Sequence, residues 1–595
     1  MIDLVDKTKR GRLMKAIKTS REALDPFRKV RAELIKDHCG SWYSTKGARM
    51  KTLLPLMSQT AKIYSVALAA NNPKVHVSSP NPDYLHFARR FEVNLNKLIS
   101  DMELDGTFRA IVLDAFFCIG VACVMMRDTD TRFHGLLESE EDVWLDPGEP
   151  WLQRISVDNL ILDMSAAELS KMRYCGHIYR ADFEKVKEEP GYDKKVRKQL
   201  TPTSKNAIDT VDMARDIASG GTVDDDELKP MLWLMDVWVP ENKSIATFAY
   251  NTDLEPLIER EWKGSQGGPY KFLSLGLVPD NVMPISPAAS LKGLHDLINR
   301  QFRRMESDMD AQKTVNCYPP GSADEAEALR TAKRNAWIKL RDPKSITQVK
   351  LGGVDPNIQS FSLFAQEEFD RYAGNLRAMG GLGAQAGTLG QEEIVQGNVS
   401  RIEANMQQGV VGFAAECIYD LGYLMWNDEN LRVQSSAPFA GTSIEVDTSW
   451  EPDYRVGDFE DYGFRVEPYS MVYKTPRQKL DELFAVLNQL APMWPMFQAS
   501  GATLDAEAIV EEIARLLDRP ELTKFITFAT SAPSLGGDEN TVRQSPVTTR
   551  NNVRTNVPTG GTPEARSNIL QQVLSGASRP QVNGQQMAAM ARPVA

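Results

Sequence analysis

The residues able to do chemistry are scattered. Six histidines (His38, His76, His86, His134, His177, His295) and six cysteines (Cys39, Cys118, Cys123, Cys175, Cys317, Cys417) fall into no HExxH or zinc-type spacing. Cys118 and Cys123 lack partners for a metal and read as small core residues. No G-x-S-x-G and no GK[ST] occurs. Asp224-Asp225-Asp226-Glu227 has the charge to hold a divalent cation, but an acidic run in a Gly-bearing loop is usually just solvated. The run from Gly380 to Gly387 superficially resembles a phosphate-binding loop. Such loops follow a strand and open a helix, so that backbone N–H groups face the phosphates. Here a helical pattern precedes the glycines, and a flexible connection between two helices is the better reading. Nothing pairs a nucleophile with a base, so the sequence predicts no enzyme, no cofactor and no metal site.

Length and composition set the frame. A chain of 595 residues is too long for one core. Hydrophobic residues make up 42% and charged residues 25%, as in soluble globular proteins. No apolar run approaches the roughly 20 residues of a membrane span, and Ala110–Met126 is broken by Asp114 and Gly120. The basic N-terminus has no apolar stretch behind it, so no secretory signal is expected. Cysteines without framework spacing fit free thiols in a reducing compartment. The net charge of −11 argues against a surface that grips DNA all over. It is compatible with a surface past which DNA slides.

The elements follow from periodicity. Leu291, Leu294, Ile298, Phe302, Met305 and Met309 recur at steps of three and four, one face of a helix over Ala289–Lys313 that is opened by Ser290 or by Pro287. Cys317–Asp355 reads as a compact insertion with a helix, Asp324–Trp337, and a strand, Ile346–Leu351. A second helix is expected over Gln359–Met379 and a third over Glu392–Trp426, the latter weakened by Gly397, Gly409, Gly412 and Gly422. Before this block, Lys7–Ile35 reads as a basic amphipathic helix broken or kinked at Asp25-Pro26. It could bind an acidic partner or a membrane surface, or simply pack on its own domain with its cations in solvent. Helices are expected over Leu53–Ala70, Tyr84–Leu104 and Phe108–Phe117. Strands are expected over Lys74–Ser78, Gly120–Met126, Ile155–Leu162, Cys175–Arg180, Ser443–Trp450 and Gly463–Val466, with a hairpin turning at Pro240–Lys243. Ala207–Leu228 reads as a mobile loop. Thr475-Pro476 opens a helix, Asp505–Leu517 is another, and the tail from Ser531 has the composition of disorder.

The central block resembles the portal proteins of tailed bacteriophages, the head-to-tail connectors, and the chain's length and modest crown are similar to those of the short-tailed kind. The residues that carry this are Pro269-Tyr-Lys-Phe-Leu273, Met283–Gln301 with Ser286-Pro287 and Leu294–Asn299, and Val466–Met471 followed by Lys474-Thr-Pro. Met283 and Pro284 stand where the family often has Tyr-Gly.

The resemblance implies a mainly helical α+β protomer with wing, stem, clip and crown regions, assembling as a ring of twelve around a central channel. By position, residues 1–284 would be the N-terminal part with the wing, 285–316 the first stem helix and 317–358 the clip. The second stem helix would be 359–379, the tunnel loop 380–391 and the long wing helix 392–428. Residues 429–475 would be wing strands, 476–530 crown helices and 531–595 a disordered tail. Leu291, Leu294, Ile298, Phe302, Met305 and Met309 would pack the stem. Gly380, Gly381, Gly383, Gln385, Gly387, Thr388 and Gly390 would face the channel. Arg330, Lys333, Arg334, Lys339, Arg341 and Lys344, with Lys350, make the clip locally basic; they would meet an acidic surface on the motor or adaptor or a phosphate backbone at the channel exit, or else belong to an ordinary exposed helix balanced by Asp324, Glu325 and Glu327. The implied partners are double-stranded DNA, the terminase large subunit, head-to-tail adaptor or tail proteins, and the major capsid and scaffolding proteins, with no membrane. The implied location is the capsid vertex of the virion, and the host cytoplasm during assembly. The rival readings are a nucleic-acid-processing enzyme with an unrecognised site, and a cellular scaffold that uses the basic N-terminal helix.

Overall fold

A helix of 33 residues, α1 (Lys7–Cys39), runs past three of the four apolar clusters among the described residues. The Asp6 carboxylate caps it, accepting the Thr8 N–H at 2.9 Å. The expected break at Asp25-Pro26 is absent. Pro26 removes one backbone donor, and the Arg28 guanidinium supplies others locally, donating to the Arg21 carbonyl at 3.1 Å and to the Asp25 carboxylate. The computed structural model describes residues 4, 6–40, 54–69, 71–127, 133–134, 144–145, 148–203, 229–262, 264–340, 342, 347–374, 376, 389–429, 431–438, 445–467, 470–471, 476–493, 509 and 513. All belong to one unit, Met1–Leu522; Thr523–Ala595 form a second. The expected loop Ala207–Leu228 and the tail from Ser531 lie outside the described residues, as does most of Asp505–Leu517.

The fold is mixed α+β and mainly helical. Helices α2 (Leu56–Leu68), α3 (Leu85–Asp101) and α4 (Leu104–Phe117) share the largest core with parts of three later helices: α5 (Pro287–Asp310), α7 (Pro356–Tyr372) and α8 (Leu389–Asn427). Between α5 and α7 lies a short helix, α6 (Ala323–Thr331). A last helix, α9, spans Pro476–Leu490. Within the core Phe87, Phe91, Trp426, Trp450, Phe459 and Tyr462 form an aromatic cluster of stacked, tilted and edge-to-face pairs, with ring centroids 4.9–6.4 Å apart.

Strand β1 (Val75–Ser78) pairs antiparallel with the distant Gly463–Val466. Three strands, β2 (Gly120–Arg127) between β3 (Glu149–Arg154) and Tyr270–Leu273, form one sheet. Five antiparallel strands form another, in the order Ile258–Glu261, Ser244–Ala249, Met231–Val239, Cys175–Asp182, Leu160–Leu162. Its central pair needs a glycine: a Cβ on Gly176 would sit 2.1 Å from the Asp236 carbonyl oxygen. Pro240–Lys243 does turn a hairpin. The single strand expected over Ile155–Leu162 is instead a 3-10 turn, Val157–Asn159, between β3 and Leu160–Leu162, two strands of different sheets. Of the strand expected over Ser443–Trp450, Glu445–Asp447 is a strand paired with Ser436–Pro438.

Candidate functional site

Helices α5 and α7 and the residues between them hold most of the side chains singled out by sequence. Ser286, not Ser290, opens α5: its hydroxyl accepts the Ala289 N–H at 3.1 Å, with Pro287 in the first helical position. Along the expected stripe burial fades. Leu291 and Ile298 are buried, Leu294, Phe302 and Met305 half-buried, and Met309 is 63% exposed. The same face carries two buried polar residues, His295 and Asn299, that a search for apolar periodicity misses. Their spacing from Leu291, four and eight residues, was the available signal. Asn299 accepts the Leu54 N–H at 2.9 Å and donates to the Leu54 carbonyl at 3.2 Å, fixing the approach to α2 onto α5.

Helix α5 ends at Asp310, three residues short of expectation. Lys313–Cys317 is a strand, β4, and it pairs antiparallel with β5 (Thr347–Leu351), Val315 opposite Val349. Alternating Val and polar residues on both segments favour this pairing over a longer helix. All ten residues of the pair are exposed. The helix between them, α6, stops at Thr331 and not at Trp337; Ala332 is already extended and Asn335 takes a left-handed φ of 67°. No residue of α6 is buried and Trp337 is fully exposed.

Arg330, Lys333, Arg334, Lys339 and Lys350 are all exposed. Arg330 meets Glu327 at 2.6 Å on its own helix, while Arg341 and Lys344 lie outside the described residues. After β5, Asp355 caps α7 by accepting the Asn357 N–H at 2.9 Å, with Pro356 first in the helix. Ser362, Ala365 and Phe369 face inward, and α7 packs on α5. Phe361, Leu363, Phe364 and Tyr372 are exposed. A helix that is apolar on more than one face needs more than one packing partner. Of the glycine-rich loop, Gly380, Gly381, Gly383, Gln385, Gly387 and Thr388 lie outside the described residues; Gly390 is the second residue of α8.

Among the described residues the buried polar groups elsewhere are engaged with one another. His177 Nδ1 is 2.8 Å from the Tyr270 hydroxyl, and the Asp236 carboxylate accepts from Thr247 at 2.7 Å and from Tyr179 at 3.3 Å. Burial lowers the His177 pKa and pushes Tyr270 and Tyr179 well up. Burial also raises the Cys118 thiol to about 12, and the Cys123, Cys175 and Cys417 thiols likewise go up. Such thiols stay protonated and inert near neutral pH. Among the described residues no group of three or more His, Cys, Asp or Glu could hold a metal ion, and no helix is long and apolar enough to cross a membrane.

Sequence reasoning also missed the inward arginines of α1. Arg21 donates to the Leu160 and Asp158 carbonyls at 3.1 and 3.3 Å. Arg31 lies 3.0 Å from the Asp114 carboxylate and 3.3 Å from that of Asp158, and Arg154 donates to the same Asp114 at 2.9 Å. Paired in this way, charged side chains can be interior.

No protein-family model and no curated protein matches the chain. Among solved structures, similar chains occur in the virion of the native gene transfer agent (GTA) particle and in the neck of the empty GTA particle computed with C6 symmetry. The first is 11% identical, covers 78% of this chain and 90% of that one, and has a TM-score of 0.32. The second is 11% identical, covers 62% and 83%, and has a TM-score of 0.28. Neither likeness is close enough to carry a function.

Proposed function

We propose that this chain is a portal-type subunit, one copy of a ring whose central channel passes double-stranded DNA into and out of a capsid. The observation that carries the reading is the unsatisfied apolar surface of residues 309–372. A two-stranded sheet is marginal alone, and a nine-residue helix without a buried face has nothing to hold it. Yet this region displays Met309, Trp337, Phe361, Leu363, Phe364 and Tyr372 to solvent. Burying a large apolar side chain contributes about 1.5–3 kcal/mol, so neighbouring copies around an axis would supply the packing that one copy lacks.

In this reading α5 and α7 are the stem, β4, α6 and β5 the clip, and the glycine-rich loop ahead of α8 faces the channel. The exposed clip cations would meet acidic motor or adaptor proteins. The chain itself catalyses nothing in this role. The test is native mass with negative-stain imaging of the wild type beside Phe361→Ser/Phe364→Ser. The expected result is a wild-type ring of twelve 66.4 kDa chains, and a variant with an unchanged melting temperature that stays monomeric. A wild type that stays monomeric at every concentration, or a variant that assembles as well as wild type, overturns the reading.

A further inference from the structure

We propose that the first half of α1 is a docking ridge for the phosphate backbone of double-stranded DNA, on the outside of the subunit and independent of any channel. From Lys7 to Arg21 the chain has seven cations and no carboxylate, inside a protein whose net charge is −11. The structure divides the seven. Lys7, Lys9, Arg12, Lys15 and Lys18 are exposed, and among the described residues none of them pairs with a carboxylate. Arg10 and Arg21 are buried beneath them, and their described hydrogen bonds go to backbone carbonyls: Leu4 and Asp253 for Arg10, Leu160 and Asp158 for Arg21.

Two further observations separate this ridge from an ordinary solvated face. Cations in the first turn of a helix oppose its dipole, and Lys7, Lys9 and Arg10 sit there. Stability alone would place them at the other end. The apolar stripe of the same stretch is already occupied, since Leu13 and Ile17 pack on Trp233, Met235, Val237 and Phe248 of the five-stranded sheet. A helix so covered has no apolar face left to insert into a lipid surface.

The ridge is about 16 Å long from Lys7 to Lys18 at about 1.5 Å per residue. Duplex DNA carries a charge about every 1.7 Å of its axis over both strands, about 3.4 Å per strand, and Arg12, Lys15 and Lys18, spaced three apart on neighbouring turns, can reach a few phosphates together. The ridge has an acidic boundary: Glu22, Asp25 and Asp253 line the cleft of about 570 Å3 beside Lys15 and Lys18. That boundary, and the acidity of the rest of the chain, would confine DNA to this line. Contacts to phosphates alone carry no base information, so binding would ignore sequence.

The test is fluorescence anisotropy of the full chain with a labelled random-sequence duplex at several salt concentrations, against Arg12→Glu/Lys15→Glu/Lys18→Glu. Lys194→Glu/Lys195→Glu, exposed elsewhere, is the control. The ridge variant should lose at least tenfold in affinity and flatten the log–log salt slope by about two to three, since each phosphate contact contributes about 0.9; the control should stay within twofold of wild type. The neutral version Arg12→Gln/Lys15→Gln/Lys18→Gln should show the same order with a smaller loss, and it decides the matter if the reversed variant misfolds. Wild type that binds no duplex, ridge variants that bind like wild type, or wild type that binds polyglutamate or anionic phospholipid vesicles in preference to DNA each overturn the proposal. Because the assay needs no assembly, failure here leaves the ring reading standing, and failure of the ring leaves this one.

Discussion

At the scale of single residues, the interior of this protein is held by charges that a sequence pattern places outside. Lys271 and Asp420 are 149 positions apart in sequence order yet meet at 2.9 Å, 7% and 0% exposed. Ser265 completes the site: its N–H donates to Asp420 at 3.2 Å, and Lys271 donates to its hydroxyl at 2.9 Å. The pair pins α8 to the strand Tyr270–Leu273. Removing one partner leaves a buried charge alone, which costs about 3–5 kcal/mol, whereas replacing both by apolar residues is often close to neutral. Asp420→Ala should therefore lower the urea midpoint sharply, and Asp420→Leu/Lys271→Met should restore most of it. Equal loss in the single and double variants would mean that the site matters through packing and not charge. Arg10, Arg21, Arg28 and Arg31 teach the same lesson. Their helical spacing was readable, but a cation at such spacing is ordinarily solvated, and only the carbonyls and carboxylates of residues more than 80 positions away, such as Asp114 and Asp158, turn Arg21 and Arg31 inward.

At the scale of elements, what was legible was local chemistry and what was not was pairing. Pro287 was readable as one of two openings of α5, because the missing N–H costs nothing in a first turn, whereas α7 opens at Pro356 behind the Asp355 cap, three residues before the expected Gln359, by the same device that the sequence reading passed over. The strand Lys313–Cys317 was hidden because its partner lies beyond a whole helix, and the pairing decides against helix. Helix α8 shows how propensity and packing are weighed against each other. A Cβ on Gly409 or Gly412 would touch nothing within 4 Å, while one on Gly422 would come within 3.3 Å of the Phe464 ring. Ala is favoured over Gly inside a helix by about 0.5–1 kcal/mol. Gly409→Ala and Gly412→Ala should each raise the stability of the isolated chain by up to about that amount. Gly422→Ala should gain less or lose, since Phe464 sits in the aromatic cluster and has little room to give. Thermal melts of the three variants at one concentration decide it; a Gly422→Ala gain equal to the other two would show that the cluster is looser than its geometry.

At the scale of the molecule, α1 is a spine and not an appendage, and this can be tested by asking which parts loosen when it is damaged. Ile17 packs with Ile161, Ile178, Met235 and Phe248 on the five-stranded sheet, whereas Leu34, farther along the same helix, belongs to the helical core with Phe91, Phe108 and Phe116. The two clusters share no residue. Regions with their own buried contacts open with their own free energies, so a defect placed in one cluster should be felt there first. Ile17→Asp puts a carboxylate into an apolar site and costs several kcal/mol of local stability, on the order of a buried unpaired charge. Amide exchange should quicken over Cys175–Asp182, Met231–Val239 and Ser244–Ala249 and stay slow over Leu85–Phe117. Faster exchange everywhere would mean that α1 transmits the damage along its length and that the clusters unfold together. The selective outcome is the one the geometry favours, because the second half of α1 keeps its own anchors: Arg31 on Asp114 and Asp158, and Lys292 of α5 at 2.7 Å from Glu33. Those contacts hold the helix to the core whatever happens at Ile17.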